Sequence, residues 1–398
     1  MRRCFSATLV IALVAVFCSV PLASPAADPF EINVILAVTG AAAFAGRSEA
    51  QGLGIVETTI NNAGGINGRP VKFVVADDQS NPQVAVQLGN QLLAKNVAVT
   101  IGPSLLASCS AIQPIFKGHA VEYCTSAGYH PEPNSYAFTQ GVSTIDQLVF
   151  AVRYLRQTGI RKIAAVTSVD ANGLDVEKGL QLALSMPENK DMALVTTAHF
   201  SVASSIGDVT VDAQMAGVKA SGAQAVINYN TGTPFGTVLH GYTDVGLNIP
   251  LITQPAALSF TTMAQFASIL PSELLITGLV GDAPDVAPRG AIGTAVRAFV
   301  DAMKSGGVAP DHVAALAWDP ALIIVAAYKK LGLNATGPKL NDYIQNLHGW
   351  VGMNGEYDFR TGQSGLTPRS LVMVRWNAEK KAFVAVSRPG GGPLTASR

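Results

Sequence analysis

The sequence predicts an α/β fold of two doubly wound parallel-sheet lobes, on three observations. Short β-branched runs alternate with segments of helical periodicity, which is the pattern of parallel sheets with crossover helices. The runs fall into two series, and a single sheet of that many strands is uncommon. At 398 residues the chain has room for two domains of ordinary size.

The first series covers residues 32–37, 71–76, 97–102 and 120–124, and the second 162–167, 192–198, 223–229, 250–253 and 274–279. One unit is legible residue by residue in "NNAGGINGRPVKFVVADDQSNP", residues 61–82. Before it, Ala50, Leu53, Val56 and Ile60 stand close to helical spacing. Gly64 and Gly65 supply the left-handed backbone that stops a helix, and Pro70 keeps it from resuming. The β-branched run 71–76 reads as a strand, and 77–82 as a turn with Asn81 as N-cap and Pro82 at the first helical position. Later helices show apolar stripes at Ala85, Leu88 and Leu92 and at Val176, Leu180 and Leu184. Toward the C-terminus two long helices, 288–304 and 313–331, precede a shorter one at 338–347. A hairpin of 370–376 with 382–386 follows, turning at the polar "NAEKK". From residue 389 the Gly- and Pro-rich end has the composition of a flexible tail.

Charge and composition narrow the class. The 27 basic residues equal the 27 acidic ones and form no cluster, which argues against nucleic acid as a partner. The 48% hydrophobic content is spread too evenly for a multispan membrane protein. Arg2 and Arg3, an apolar stretch over 9–20 and the small residues "ASPAA" describe a secretory signal over residues 1–27, cut near Ala26 or Ala27. Neither Cys4 nor Cys18 has the surroundings of a lipid anchor, so the mature chain is expected to be soluble and outside the cytoplasm. Cys109 and Cys124 remain after cleavage. An oxidising compartment permits them to pair, and two buried free thiols fit the sequence equally well.

Enzyme signatures are thin. His119, His130, His199, His240, His312 and His348 are scattered without metal-ligand spacing. "GQSG" (362–365) falls short of a nucleophile elbow, and Gly52-Leu53-Gly54 lacks the third glycine of a dinucleotide fingerprint. Asp77 and Asp78 at a strand end read as turn hydrogen bonding in preference to a metal site. The expectation is a protein without catalysis, cofactor or metal. In open α/β sheets a ligand collects beyond the carboxyl ends of the strands, where helix N-termini present free N–H groups. That directs attention to six turns: 39–46, 102–108, 125–131, 168–173, 230–234 and 254–259. They converge on one place only if the two lobes face each other.

The succession "TGAAAFAG", residues 61–82, "IGPS", "TSAG", "GVSTIDQ", "NTGTP" and "NGEYDF" resembles the Leu/Ile/Val-binding branch of the type I periplasmic solute-binding proteins, over about residues 30–386. The resemblance implies two lobes joined by three hinge crossovers near 142–147, 279–283 and 354–358. Lobe 1 would comprise 28–144 with 281–355, lobe 2 would comprise 145–280 with 356–388, and 389–398 would be the tail. It further implies a monomer that closes on a small-molecule solute in the periplasm and delivers it to an ABC permease in the inner membrane. By position, Phe44 would cover the solute. Ser104 with Leu105, and Ser126, Ala127 and Gly128, would bind its carboxylate. Asn172, Asn230, Thr231, Gly232, Thr233 and Gln254 would close over the other end. The family's bridge joins positions held here by Ser80 and Leu105, so it has no counterpart.

Amino-acid-binding members hold the α-ammonium with an acidic residue, where Gln254 and Ser143 or Thr144 stand in this chain. Asp282, near the second crossover, is the candidate replacement. An unpaired ammonium in a closed cleft would cost several kcal/mol, so the resemblance leans toward aromatic and other non-amino organic acids. The same fold feeding a membrane receptor, as a sensor, is the alternative.

Overall fold

A computed structural model describes residues 28–202 and 210–394. The expected signal segment, 1–27, and the end of the expected tail, 395–398, lie outside the described residues. Two separate sheets carry the fold. The first holds β1 (Phe30–Leu36), β2 (Val71–Asp77), β3 (Val99–Ile101), β4 (Val121–Cys124) and β5 (Ala137–Thr139), all parallel, in the order β2-β1-β3-β4-β5. Its crossover helices are α1 (Ala43–Asn62), α2 (Pro82–Ala94) and α3 (Leu106–Phe116).

The second region runs α4 (Thr144–Gln157), β6 (Lys162–Ser168), α5 (Ala171–Ser185), β7 (Ala193–Phe200), α6 (Asp212–Ala220), β8 (Ala225–Ile227), α7 (Gly232–Asp244), β9 (Leu251–Thr253), α8 (Phe260–Gln265) and β10 (Leu274–Leu279). There follow α9 (Ala291–Ser305), α10 (His312–Ala315), α11 (Trp318–Leu331), α12 (Gly337–Gln345), the hairpin β11 (His348–Gly352) with β12 (Gly355–Asp358), and the hairpin β13 (Leu371–Asn377) with β14 (Ala382–Ala385). The second sheet has the order β14-β13-β10-β9-β8-β6-β7; β13 joins β10 antiparallel, and β10, β9, β8, β6 and β7 are parallel.

The chain passes between the two regions three times. It leaves β5 for α4, which packs on α5 and β13; it leaves β10 for α9, which packs on α1; and it leaves β12 for β13. Near the third expected crossover, Gly355–Asp358 pairs with β11, and the chain leaves for β13 after it. The expected helix over 313–331 is two pieces, α10 and α11. Residues 389–393 are not a loose tail. Ser387 bridges to Pro393, Gly391 N donates to the carbonyl of Arg388, and Gly391 is buried against Phe150 of α4.

The unit over 61–82 forms as its residues dictate. Gly64 and Gly65 have φ of 89° and 61°, and Asn81 Oδ1 accepts from Gln83 N at 2.9 Å with Pro82 opening α2. Helix α1 buries Gly46, Glu49, Gly52, Leu53, Val56 and Ile60 along one stripe against the first sheet, where Val34, Ile101 and Tyr123 are fully buried. At about 25 cal/mol per Å² of apolar surface removed from water, Leu53, Val56 and Ile60 each contribute roughly 1.5–3 kcal/mol.

Cys109 of α3 and Cys124 of β4 are joined in a disulfide, and both are fully buried. The bridge ties the start of α3 to the end of the neighbouring strand, so it braces two of the turns singled out in the sequence. It closes a short loop of sequence separation 15. Replacing both residues, by Cys109→Ala with Cys124→Ala, is expected to lower the unfolding free energy by about 3 kcal/mol, measured by urea denaturation.

Candidate functional site

Between the carboxyl ends of the two sheets lies a cavity of about 380 Å³. All six turns reach it. From the first sheet come Ala42, Phe44 and Ala45 after β1, Ser104 to Ala107 after β3, and Thr125 to Gly128 after β4. From the second come Asp170 to Asn172 after β6, Asn230, Thr231 and Pro234 after β8, and Gln254 to Ala256 after β9. The first passage contributes Gln140, Gly141, Val142, Thr144 and Gln147, and the end of β10 contributes Leu279. Glu49 of α1, with His312, Val313 and Leu316, completes the lining.

The turns differ in what their backbone amides are left to do. The first N–H groups of a helix have no partner within the helix. Asp170 Oδ1 caps α5 by accepting from Gly173 N at 3.0 Å, and Ser143 Oγ caps α4 by accepting from Asp146 N at 3.1 Å. At α3 and α7 the N-cap positions, Leu105 and Thr231, make no side-chain cap bond. These two helix starts face the cavity from opposite sheets. The α3 start carries Ser104 beside it, whose Oγ accepts from Ala37 N at 3.4 Å and keeps its proton to donate.

Ten of the expected residues line the cavity: Phe44, Ser104, Leu105, Ser126, Ala127, Gly128, Asn172, Asn230, Thr231 and Gln254. Gly232, Thr233 and Asp282 do not. Gly232 lies just behind, where a Cβ would stand 3.2 Å from the Phe44 ring, so the smallest residue at the α7 start lets Phe44 reach across from α1. Thr233 gives its carbonyl to Thr237 Oγ1 at 3.2 Å. Several amides are also committed internally. Asn172 Nδ2 and Gln254 Nε2 both donate to the carbonyl of Tyr229, at 3.2 and 2.8 Å, and Asn230 Nδ2 donates to Asn228 Oδ1 at 2.6 Å. These three side chains are held in place by the second lobe itself.

Asp282 has a different task from the one expected. Its Oδ2 lies 3.0 Å from His312 Nδ1 and accepts from Leu279 N at 2.7 Å, and both ring and carboxylate are buried. Burial alone would lower the pKa of His312, but Asp282, with Asp311 and Glu49 further off, raises it above its ordinary value. The cavity wall therefore carries an imidazole biased toward its cationic form. Its Nε2 makes no hydrogen bond among the described residues.

Glu49 also lines the cavity and, like His312, was not among the expected site residues. It is fully buried on the inner stripe of α1. Thr125 Oγ1 donates to its Oε2 at 2.9 Å, and Oε1 has no partner among the described residues. Burial raises its pKa to about 8, with Asp78 adding to the rise and Thr125, Ser104 and His312 opposing it. Gly52 explains how Glu49 and His312 come together. A Cβ there would stand 1.9 Å from the carbonyl oxygen of Ala314, so α10 can press against α1 only over a glycine. A glutamate in register with Leu53, Val56 and Ile60 was the available sign of a buried acid. His312 carried none.

Other sequence features have structural roles. Asp77 Oδ1 accepts from Val38, Thr39 and Gln79 amides, tying the turns after β1 and β2. Gln363 of "GQSG" donates to the carbonyl of Ala137 at 2.9 Å and its own carbonyl accepts from Thr139 N, so that segment pins the third passage to β5. Cys109, Glu122 and Cys124 cluster at metal-ligand separation, but the disulfide leaves no thiolate to bind with.

Two sheets with one cavity between their facing carboxyl ends define a two-lobed solute-binding protein. The sequence pattern of the periplasmic binding proteins matches residues 29–382, and the chain belongs to that family. An amino acid binding protein from Pseudomonas aeruginosa is 23% identical over 318 residues, 74% of this chain and 77% of that protein. The crystal structure of the branched-chain amino acid transporter substrate binding protein LivJ from Streptococcus pneumoniae, in complex with isoleucine, aligns with a TM-score of 0.74 at 17% identity over 90% of this chain and 99% of that one. A solute binding protein of an ABC transporter from Rhodopseudomonas palustris, in complex with 4-hydroxybenzoate, aligns with a TM-score of 0.74 at 17% identity over 90% and 95%. The fold is that of the type I members, whose family is extracytoplasmic. Among the described residues no helix is long and apolar enough to cross a membrane.

The buried acid also sets a pH dependence of stability. Below pH 4.5 Glu49 holds its proton in both states; between there and about 8 the unfolded chain releases it and the folded chain keeps it. Folding then loses up to about 1.4 kcal/mol per pH unit from this group as pH rises, and nothing further above its folded pKa. Glu49→Gln removes the loss. Denaturation midpoints are expected to favour the variant increasingly from pH 5 toward 8 and to level off beyond, relative to the natural chain.

Proposed function

We propose that this chain is the solute-receiving component of an ABC importer, capturing a small carboxylate-bearing solute in the periplasm by closure of its two lobes. The observation that carries the reading is the cavity itself: about 380 Å³, with an uncapped helix start on either side and an imidazole in its wall. Free N–H groups, hydroxyls and an imidazole biased toward its cationic form are the partners a carboxylate needs. The volume is in the range of pockets for small organic molecules. Isoleucine and 4-hydroxybenzoate, held by the two structural relatives above, share a carboxylate and an apolar body.

Ser104 with the Leu105 and Leu106 amides, and the Ser126 to Gly128 turn, would take the carboxylate. Phe44 and Leu106 would cover the apolar body. Asn172, Thr231 and Gln254 would meet its far end from the second lobe. A solute touching both lobes binds well only when they are together, so it shifts the population toward the closed form. A monomer that presents its closed form to an inner-membrane permease follows from that reading.

A thermal-shift screen of branched-chain amino acids against aromatic and short aliphatic acids tests it, because a ligand in excess stabilises the folded state. At least one carboxylate is expected to raise the melting temperature, and its amide analogue is not. Ser104→Ala is expected to weaken that carboxylate by about tenfold in calorimetry, from the loss of one donor to a charged acceptor. Unchanged affinity in the variant, or equal shifts by acid and amide, would rule out this placement of the carboxylate.

A further inference from the structure

We propose that Glu49 recognises the solute as a neutral carboxylic acid, donating a hydrogen bond from Oε1–H to the solute carboxylate, and so selects organic acids with no ammonium beside that carboxylate. The inference deepens the reading of the cavity as a carboxylate site and rests on it.

Geometry is the first support. Glu49 lines the cavity from α1, next to Ser104 and Thr125, at the first-lobe end where the free α3 amides gather. Its carboxyl is fully buried and has no ion-pair partner within 4.0 Å among the described residues. Thr125 Oγ1 lies 2.9 Å from Oε2 and shares its one proton with the carbonyl of Pro103 at 3.1 Å, while Oε1 has no partner among the described residues and is the oxygen left to meet a solute. A buried acid beside an anion-binding helix start is tolerable to an incoming carboxylate only if it is uncharged, since two carboxylates in contact cannot both ionise. The neutral form turns a repulsive neighbour into a donor.

The charged groups around Glu49 leave that form in place. Asp78, from the turn after β2, disfavours ionisation; His312, on α10, favours it, with Asp282 and Asp311 behind His312 balancing its charge. The net result is a carboxyl that titrates near 8 and is protonated at neutral pH. An α-ammonium at this end would find a proton donor where it needs an anion. Asp170, the other acid of the lining, is exposed and spends Oδ1 on capping α5.

The test measures binding of benzoate and of L-isoleucine to the natural chain and to Glu49→Gln and Glu49→Ala, by calorimetry from about pH 6 to about pH 9. Melting curves establish that each variant is folded. Benzoate affinity is expected to be flat up to the Glu49 pKa and then to fall by up to about tenfold per pH unit. Glu49→Gln, which can still donate, is expected to weaken benzoate a few-fold at neutral pH and to abolish the decline, and Glu49→Ala to weaken it by about tenfold or more. A decline that persists in Glu49→Gln would belong to His312 and overturn the assignment. So would tight isoleucine binding that strengthens with pH and vanishes in Glu49→Gln, which would make Glu49 the counter-ion of an ammonium. If neither probe binds the natural chain, the carboxylate reading of the cavity falls, and this inference with it.

Discussion

Backbone amides that a helix cannot satisfy by itself are the constraint on which this cleft is built. Every parallel strand that feeds a helix delivers a few such N–H groups at the carboxyl edge of its sheet. With two sheets facing, these edges oppose each other across one gap. The chain settles some of the amides internally, with Asp170 on α5 and Ser143 on α4. It leaves α3 and α7 uncapped. Other helices, such as α9 and α12, also start without a side-chain cap, but α3 and α7 are the two whose starts meet Phe44, Ser104 and the cavity.

Burial then decides the charge of the groups behind those amides. The Asp282–His312 pair shows one outcome: with the Asp282 carboxylate 3.0 Å from its Nδ1, the histidine becomes more basic despite desolvation. Glu49 shows the other: it has a hydroxyl for company and no cation in contact, so desolvation dominates and the carboxyl resists ionising. The two residues come together because Gly52 lets α10 lie directly on α1. A methyl group at that position would clash with the carbonyl of Ala314 and push α10, with His312, away from α1.

Much of the architecture could be read in advance because it is written in short-range pattern. Val71 to Ala76, between Gly65 and the Asn81–Pro82 cap, is recognisable as a strand between helices from its own residues, and the six turns that line the cavity were identifiable as strand exits. What escaped was short or depended on distant partners. β5 is no shorter than β3, β8 and β9, but those stand in longer apolar runs, whereas Ala137–Thr139 follows the polar, proline-bearing stretch 130–135, and Gly355–Asp358 carries two acids among its four residues. The end of the chain looked loose by composition, yet it packs because Gly391 fits against Phe150. Asp282 was identified as important for its charge and position, but its partner is a histidine in the wall and not the cavity.

By itself the sequence determined the local order: where strands end, where helices begin, which turns are small and polar, and that the chain builds two lobes. Those properties depend on neighbours within a few residues, so spacing and side-chain type suffice. Only the tertiary structure decided which of those turns share a cavity, that Cys109 and Cys124 are joined, and that Glu49 is buried beside Thr125, 76 positions away. Convergence, disulfide pairing and the protonation of a buried acid depend on distances through space. A linear pattern carries no such distances until the chain has folded.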